Sequence, residues 1–146
     1  MAKTPNNTII RSKIIETWNK RWKEGTDARQ TRIFFPEINL SKSTKLVKMD
    51  RETLGKLIRA ISGHDFRKRH EGLVKGIAVS NCRFCDNEEE SSHHIINRCP
   101  RLAEKRMEHF RTPMGTEVNP NWQPEQLAAF LSYPTISEME APDWEY

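Results

Sequence analysis

The sequence predicts a mostly α fold: a small helical domain gathered about one cysteine cluster, with at most one short extended segment. Three observations carry this reading. Apolar residues recur at helical spacing in four separate stretches. All three cysteines fall between residues 82 and 99 of a 146-residue chain. Only 36% of the residues are hydrophobic against 30% charged, so the core is modest and a covalent or metal staple would add much to it.

Composition bounds the rest. No run of about 18 apolar residues exists, which excludes a helical membrane span. The N-terminus lacks the apolar stretch of a secretory signal, so an intracellular, reducing location is expected. Three cysteines are too odd a number to pair off internally, and in that setting they read as metal ligands. The charge is split. Residues 1–80 hold 18 Lys and Arg against 8 Asp and Glu (+10), whereas residues 81–146 hold 6 against 12 (−6). A basic front suits a polyanionic partner, although solvated helix faces give the same excess.

Residues 1–8 show no periodicity and read as a flexible arm. From Ile9 to Glu24 a helix is expected, with Ile10, Ile14, Trp18 and Trp22 on one stripe and Arg11, Lys13, Lys20, Arg21 and Lys23 opposite. Tryptophans so spaced are usually core, although they also serve as base-stacking platforms. Thr31–Pro36 reads as a short extended segment, because Pro36 disfavours helix at Phe35. Residues 37–49, polar and lysine-rich, read as a loop.

Asp50 is a good N-cap for a helix over 51–62, and Gly63 suits its end. Leu54, Leu57, Ile58 and Ile61 form its core stripe, with Lys56 and Arg59 pointing away. A charged turn or short helix follows, and Arg67, Lys68 and Arg69 make the densest positive patch of the chain, fit to hold phosphates. Val74, Ile77 and Val79 then lead into the cysteine cluster as apolar lining. Beyond it, Pro100 opens a helix over 100–111 with Leu102, Ala103, Met107 and Phe110 on its apolar side. Pro124 opens a last helix through Leu131, with Leu127, Phe130 and Leu131 facing inwards. Residues 132–146 read as a loosely held acidic tail, leaving 9–131 as the module proper.

The cluster reads Cys82-x2-Cys85-x8-His94-x4-Cys99. Three thiols and an imidazole are the donor set of a closed, tetrahedral structural zinc site. The first pair suits a tight knuckle, and a helical turn between His94 and Cys99 brings the second pair to the same ion. His93 competes with His94 for the fourth place, and the spacing to Cys99 favours His94. Ser91 or Ser92 caps the short helix that carries it. Four protein ligands leave no position for water, so one structural Zn2+ and no enzymatic activity are expected. A deaminase-type site would need a His-x-Glu beside the cluster, and none is present. Phe84, between two ligands, is a packing residue or a base-stacking platform.

The segment Leu57 to Leu102 resembles the C-terminal tail of non-LTR retrotransposon reverse transcriptases. The resemblance rests on a helix ending in Gly63-His64 followed by Phe66, then the basic Arg67–Arg69. It continues through Cys82, Cys85, the acidic Glu88–Glu90, His94, Cys99-Pro100 and Arg106. Trp18-x3-Trp22 and the Phe35-Pro36 element look like upstream parts of the same tail, giving a collinear match over residues 9–131. What the resemblance implies is a non-catalytic, zinc-binding helical module that grips template RNA or target DNA, detached from its polymerase or repurposed. No Tyr-x-Asp-Asp run occurs. Candidate nucleic-acid contacts are Arg67, Lys68, Arg69, Lys75, Arg83 and Phe84, with a single-stranded partner expected. The rival class is a zinc-stabilised protein-interaction module, binding its partner through the surface around Trp122 and the acidic tail.

Overall fold

The last helix of strong pattern turns out to be the hub. In the computed structural model, which describes residues 5–64, 68–78, 81–111 and 121–137, α7 (Pro124–Leu131) packs against α3 (Leu40–Val47), α4 (Arg51–Ser62), α6 (Ala103–Phe110) and α8 (Pro134–Ser137). The remaining helices are α1 (Pro5–Glu24), α2 (Arg29–Phe34) and α5 (Lys68–Lys75). The molecule is a small helical domain, with no strand among the described residues beyond one isolated bridge, Asn81 to Glu89. No helix among them is long and apolar enough to cross a membrane.

The reason for the hub lies in its sequence. Pro124 fixes the first turn, and the Gln123 and Gln126 side chains close a reciprocal capping box. Leu127, Phe130 and Leu131 then follow at helical spacing and are all buried. Phe130 meets Phe110 at 5.3 Å between ring centroids. Leu57 and Ile61 of α4, Leu46 of α3, Phe34 of α2, Leu102, Trp122 and Ile136 complete the core. Ile136 is fully buried, so packed structure continues past residue 131.

Helix α4 matches its expected bounds. Asp50 Oδ1 accepts from the Thr53 amide at 2.9 Å, and Gly63 ends the helix at φ 77°. A Cβ there would be strained and would lie 2.8 Å from Gln30 Oε1. Ile58, expected on the core stripe, is exposed, and Ala60 is buried in its place.

Three expectations are corrected. Residues 29–34 form a helix, not an extended segment, because the effect of Pro36 reaches only Phe35, whose amide still donates to Thr31 O at 2.8 Å. Residues 40–47 form a helix, not a loop. Asn39 Oδ1 caps it through the Lys42 amide at 2.9 Å, and Leu46 anchors it. Lys42 is buried despite its charge, its ammonium 4.6 Å from the centroid of the Trp122 ring. The third concerns α1, which begins at Pro5 within the expected arm, and whose Ile10, Ile14 and Trp18 are exposed, not core. It docks mainly through its C-terminal end: Trp22 Nε1 donates to Phe35 O at 2.6 Å and Asn19 Oδ1 accepts from the Ile38 amide at 2.8 Å. Val74 and Ile77 are exposed as well, while Val79 lies outside the described residues, as do 138–146 of the tail.

Candidate metal centre

The first two ligand positions are set by a knuckle. Asn81 and Glu89 bridge its two sides, and the Cys82 amide donates to Glu88 O at 2.7 Å. The chain then turns back on itself: the Asp86 amide reaches Cys82 O at 2.8 Å, with Asp86 in the left-handed region at φ 58°. Asn81 Nδ2 adds a bond to Asp86 O at 2.9 Å. This places Cys82 and Cys85 on one side of the loop, as the two-residue spacing predicts.

The other two positions depend on an unusual turn. Residues His94–Arg98 form a π turn closed by the Cys99 amide on His94 O at 2.8 Å. In a regular α-helix, residues five apart point about 140° away from each other. The wider turn, with its five-residue hydrogen bond, brings Cys99 over His94 instead. Ser91 is the cap, its hydroxyl oxygen accepting from the His94 amide at 3.1 Å. Ile95 and Ile96 are buried and pin the turn to the core.

Together these bring the side-chain donors of Cys82, Cys85, His94 and Cys99 within 4.8 Å of one another. Cys82 Sγ lies 3.9 Å from Cys99 Sγ, and Cys85 Sγ 3.3 Å from His94 Nε2. A tetrahedron with metal–sulfur arms of about 2.3 Å has edges of about 3.8 Å. All three cysteines are free thiols. Four residues therefore stand close enough to hold one metal ion, and His94, not His93, is the fourth.

Burial dominates the electrostatics of the cluster. Burial pushes the Cys82 thiol up, and the Cys99 thiol up to about 12. Burial also raises Cys85, but amides of Asn87 and Glu88 and the neighbouring thiols outweigh it and leave that group lowered. Burial holds His94 below its ordinary value, which keeps the ring neutral and able to donate a lone pair. The Glu88 carboxylate stands 3.3 Å from His94 Nδ1, on the ring edge away from the thiols. A carboxylate on this side of the ring is placed to orient an imidazole that binds a metal through its other nitrogen, although here Nδ1 makes no hydrogen bond of good geometry. Glu88 is held in turn by Arg98 at 3.0 Å.

No family model matches the chain, and neither a curated protein nor a solved structure matches it.

Two further residues, named from the sequence only as parts of the resemblance, support the site. Glu90, part of the acidic run Glu88–Glu90, is fully buried. Its carboxylate accepts from Arg83 Nε at 2.9 Å, Arg83 NH2 at 2.7 Å and the Arg83 amide at 3.0 Å. This forked pair, strong because it is charged and bidentate, braces the knuckle between its two cysteines. Arg106 of α6 is also buried, and its guanidinium donates to Ile95 O at 3.3 Å and to Cys99 O. It ties the π turn to the helix that packs on α7. The Cys99-Pro100 step passes through a single 3-10 turn before α6 begins, three residues later than expected. Met107, expected on the apolar side, is exposed.

Of the candidate nucleic-acid contacts, Arg83, Phe84 and Lys75 have described side chains. The Arg83 guanidinium is engaged by Glu90, and Phe84 is half-buried and packed against the core. Lys75 is exposed at the end of α5. Arg67 and the side chains of Lys68 and Arg69 lie outside the described residues. Trp122 is buried, with its indole N–H on Phe34 O at 3.0 Å, so its own side chain is part of the core.

Proposed function

We propose that the chain is a non-catalytic module that binds nucleic acid and is held together by one structural Zn2+. The convergence of Cys82, Cys85, His94 and Cys99 on one point carries this reading. Three thiolates with one imidazole suit zinc, and four protein ligands suit a structural rather than a hydrolytic ion. When bound, the ion supplies folding energy and takes part in no reaction. The polyanion follows from the +10 charge of residues 1–80 and from the resemblance to retrotransposon reverse transcriptase tails. Single-stranded RNA or DNA is the expected partner.

Two measurements test it. Metal analysis of purified protein is expected to find one zinc per chain, and a folded chain without metal counts against the zinc. An electrophoretic shift series across salt is expected to show binding at low salt to single-stranded RNA or DNA. Replacing Arg67, Lys68 and Arg69 with Gln is expected to reduce the slope of log affinity against log salt by about 2. No shift at low salt, or an unchanged slope in the triple variant, refutes the nucleic-acid part and favours a protein-interaction module.

A further inference from the structure

Helix α1 carries an aromatic face for which the fold has no use. Trp22 is anchored: its indole N–H is on Phe35 O, and the Arg32 guanidinium sits 4.8 Å from its ring centroid. Trp18 stacks on it at 5.3 Å with 22° between the planes. The stack holds Trp18 in place, yet Trp18 is 47% exposed. Beside it runs a shallow groove of about 370 Å3, lined by Ile10, Lys13, Ile14, Thr17, Trp18 and Arg21. Among the described residues, neither Lys13 nor Arg21 has an ion-pair or side-chain hydrogen-bond partner, and the same holds for Arg11, Lys20 and Lys23.

We infer that this face of α1 is a binding surface for single-stranded nucleic acid, with Trp18 as the platform for one unpaired base and Lys13 and Arg21 on the flanking phosphates. The inference rests on the nucleic-acid reading above and names the part of the chain that makes contact. The occupant follows from how the groove is built. A helix that lies on a membrane separates its cations from its apolar stripe, whereas here Lys13 and Arg21, which the sequence places opposite the stripe, in fact line the same groove as Ile14 and Trp18. A second copy of this helix would set cation against cation. A single strand offers what the groove lacks, planar bases to continue the stack and anionic phosphates spaced along it.

The test uses the whole zinc-loaded chain with a fluorescently labelled poly(U) oligonucleotide at low salt. Trp18→Ala is expected to weaken binding by about fivefold or more, and Trp18→Phe to keep most of the affinity. Circular dichroism of both variants is expected to match the parent, since Trp18 covers no core residue. Lys13→Gln with Arg21→Gln is expected to lower both affinity and salt dependence. Parent protein that binds while Trp18→Ala binds equally well overturns this inference and leaves the nucleic-acid reading standing. Parent protein that does not bind at all overturns that reading, and this one with it. Anionic vesicles serve as the control: binding to them that Trp18→Ala abolishes, with oligonucleotide affinity untouched, assigns the face to membranes and overturns the proposal.

Discussion

Single residues near the cluster do more than supply ligands. Glu90 shows this best, because its buried carboxylate accepts three hydrogen bonds from Arg83. Glu90→Ala leaves the knuckle amide of Arg83 without its acceptor and is expected to cost about 2 kcal/mol, read from urea unfolding of the metal-loaded protein. Equal midpoints for variant and parent would show that the fork is dispensable. His94 sets a pH dependence whose sign is fixed by burial. Its folded pKa lies below the ordinary 6.5, so the unfolded chain binds that proton more readily. Stability is then complete above pH 6.5 and declines as pH falls below it. Protons competing for the metal ligands act in the same direction. Unfolding midpoints at pH 7.5, 6.5 and 5.5 are expected to fall in that order, and a flat series would contradict the assignment. The ligands themselves were legible from spacing, because a chelate needs specific residue types at short intervals. Glu90 and Arg106 were not, since a charged residue is buried only where the fold provides its partner, and that partner is set by tertiary structure.

At the scale of the element, legibility followed the strength of local signals. Helices α4 and α7 were readable because a start signal, Asp50 or Pro124, is followed at each by apolar residues at helical spacing. Helix α3 was missed, since Leu40, Leu46 and Val47 are sparse among lysines, and its cap at Asn39 stands in a run that looks like a loop. Helix α2 was misread because Phe34-Phe35-Pro36 resembles a strand, although proline constrains only the residue before it. The stripe on α1 was read correctly as a stripe and wrongly as buried, because periodicity states which face is apolar and not whether anything covers it. Gly63 tests the α4 end. Gly63→Ala is expected to destabilise by about 1–2 kcal/mol, through its left-handed backbone and its approach to Gln30, measured as a shift in thermal midpoint. The π turn tests spacing directly. Inserting one Ala after Asn97 sets Cys99 six residues from His94 and swings it to the far side of the turn, so zinc stoichiometry is expected to fall, whereas the conservative Ile96→Val, which keeps the length, is expected to retain the ion.

Across the whole molecule, the cluster of three cysteines and His94 and the apolar core are one structure. Cys82 and Cys99 are buried among Leu102, Ile95 and Ile96, and Arg106 joins the π turn to α6, which packs on α7. Chelation is therefore expected to unfold the domain cooperatively, with helical circular dichroism and Trp122 fluorescence lost together. Two separate transitions would mean the cluster folds on its own. Phe130→Ala, at the centre of the hub, is expected to cost about 3–5 kcal/mol and to weaken zinc retention without touching a ligand.

The position of that hub also has a consequence for synthesis. The faces of α3, α4 and α6 have their common partner in residues 124–131, which leave the ribosome after all of them. Until then Leu57, Ile61 and Leu46 lack the cover of α7, and the thiols emerge before the core that will shield them. A nascent chain stalled before Pro124 should thus be recognised by chaperones and be open to thiol oxidation, and early zinc capture at the knuckle would be its main protection.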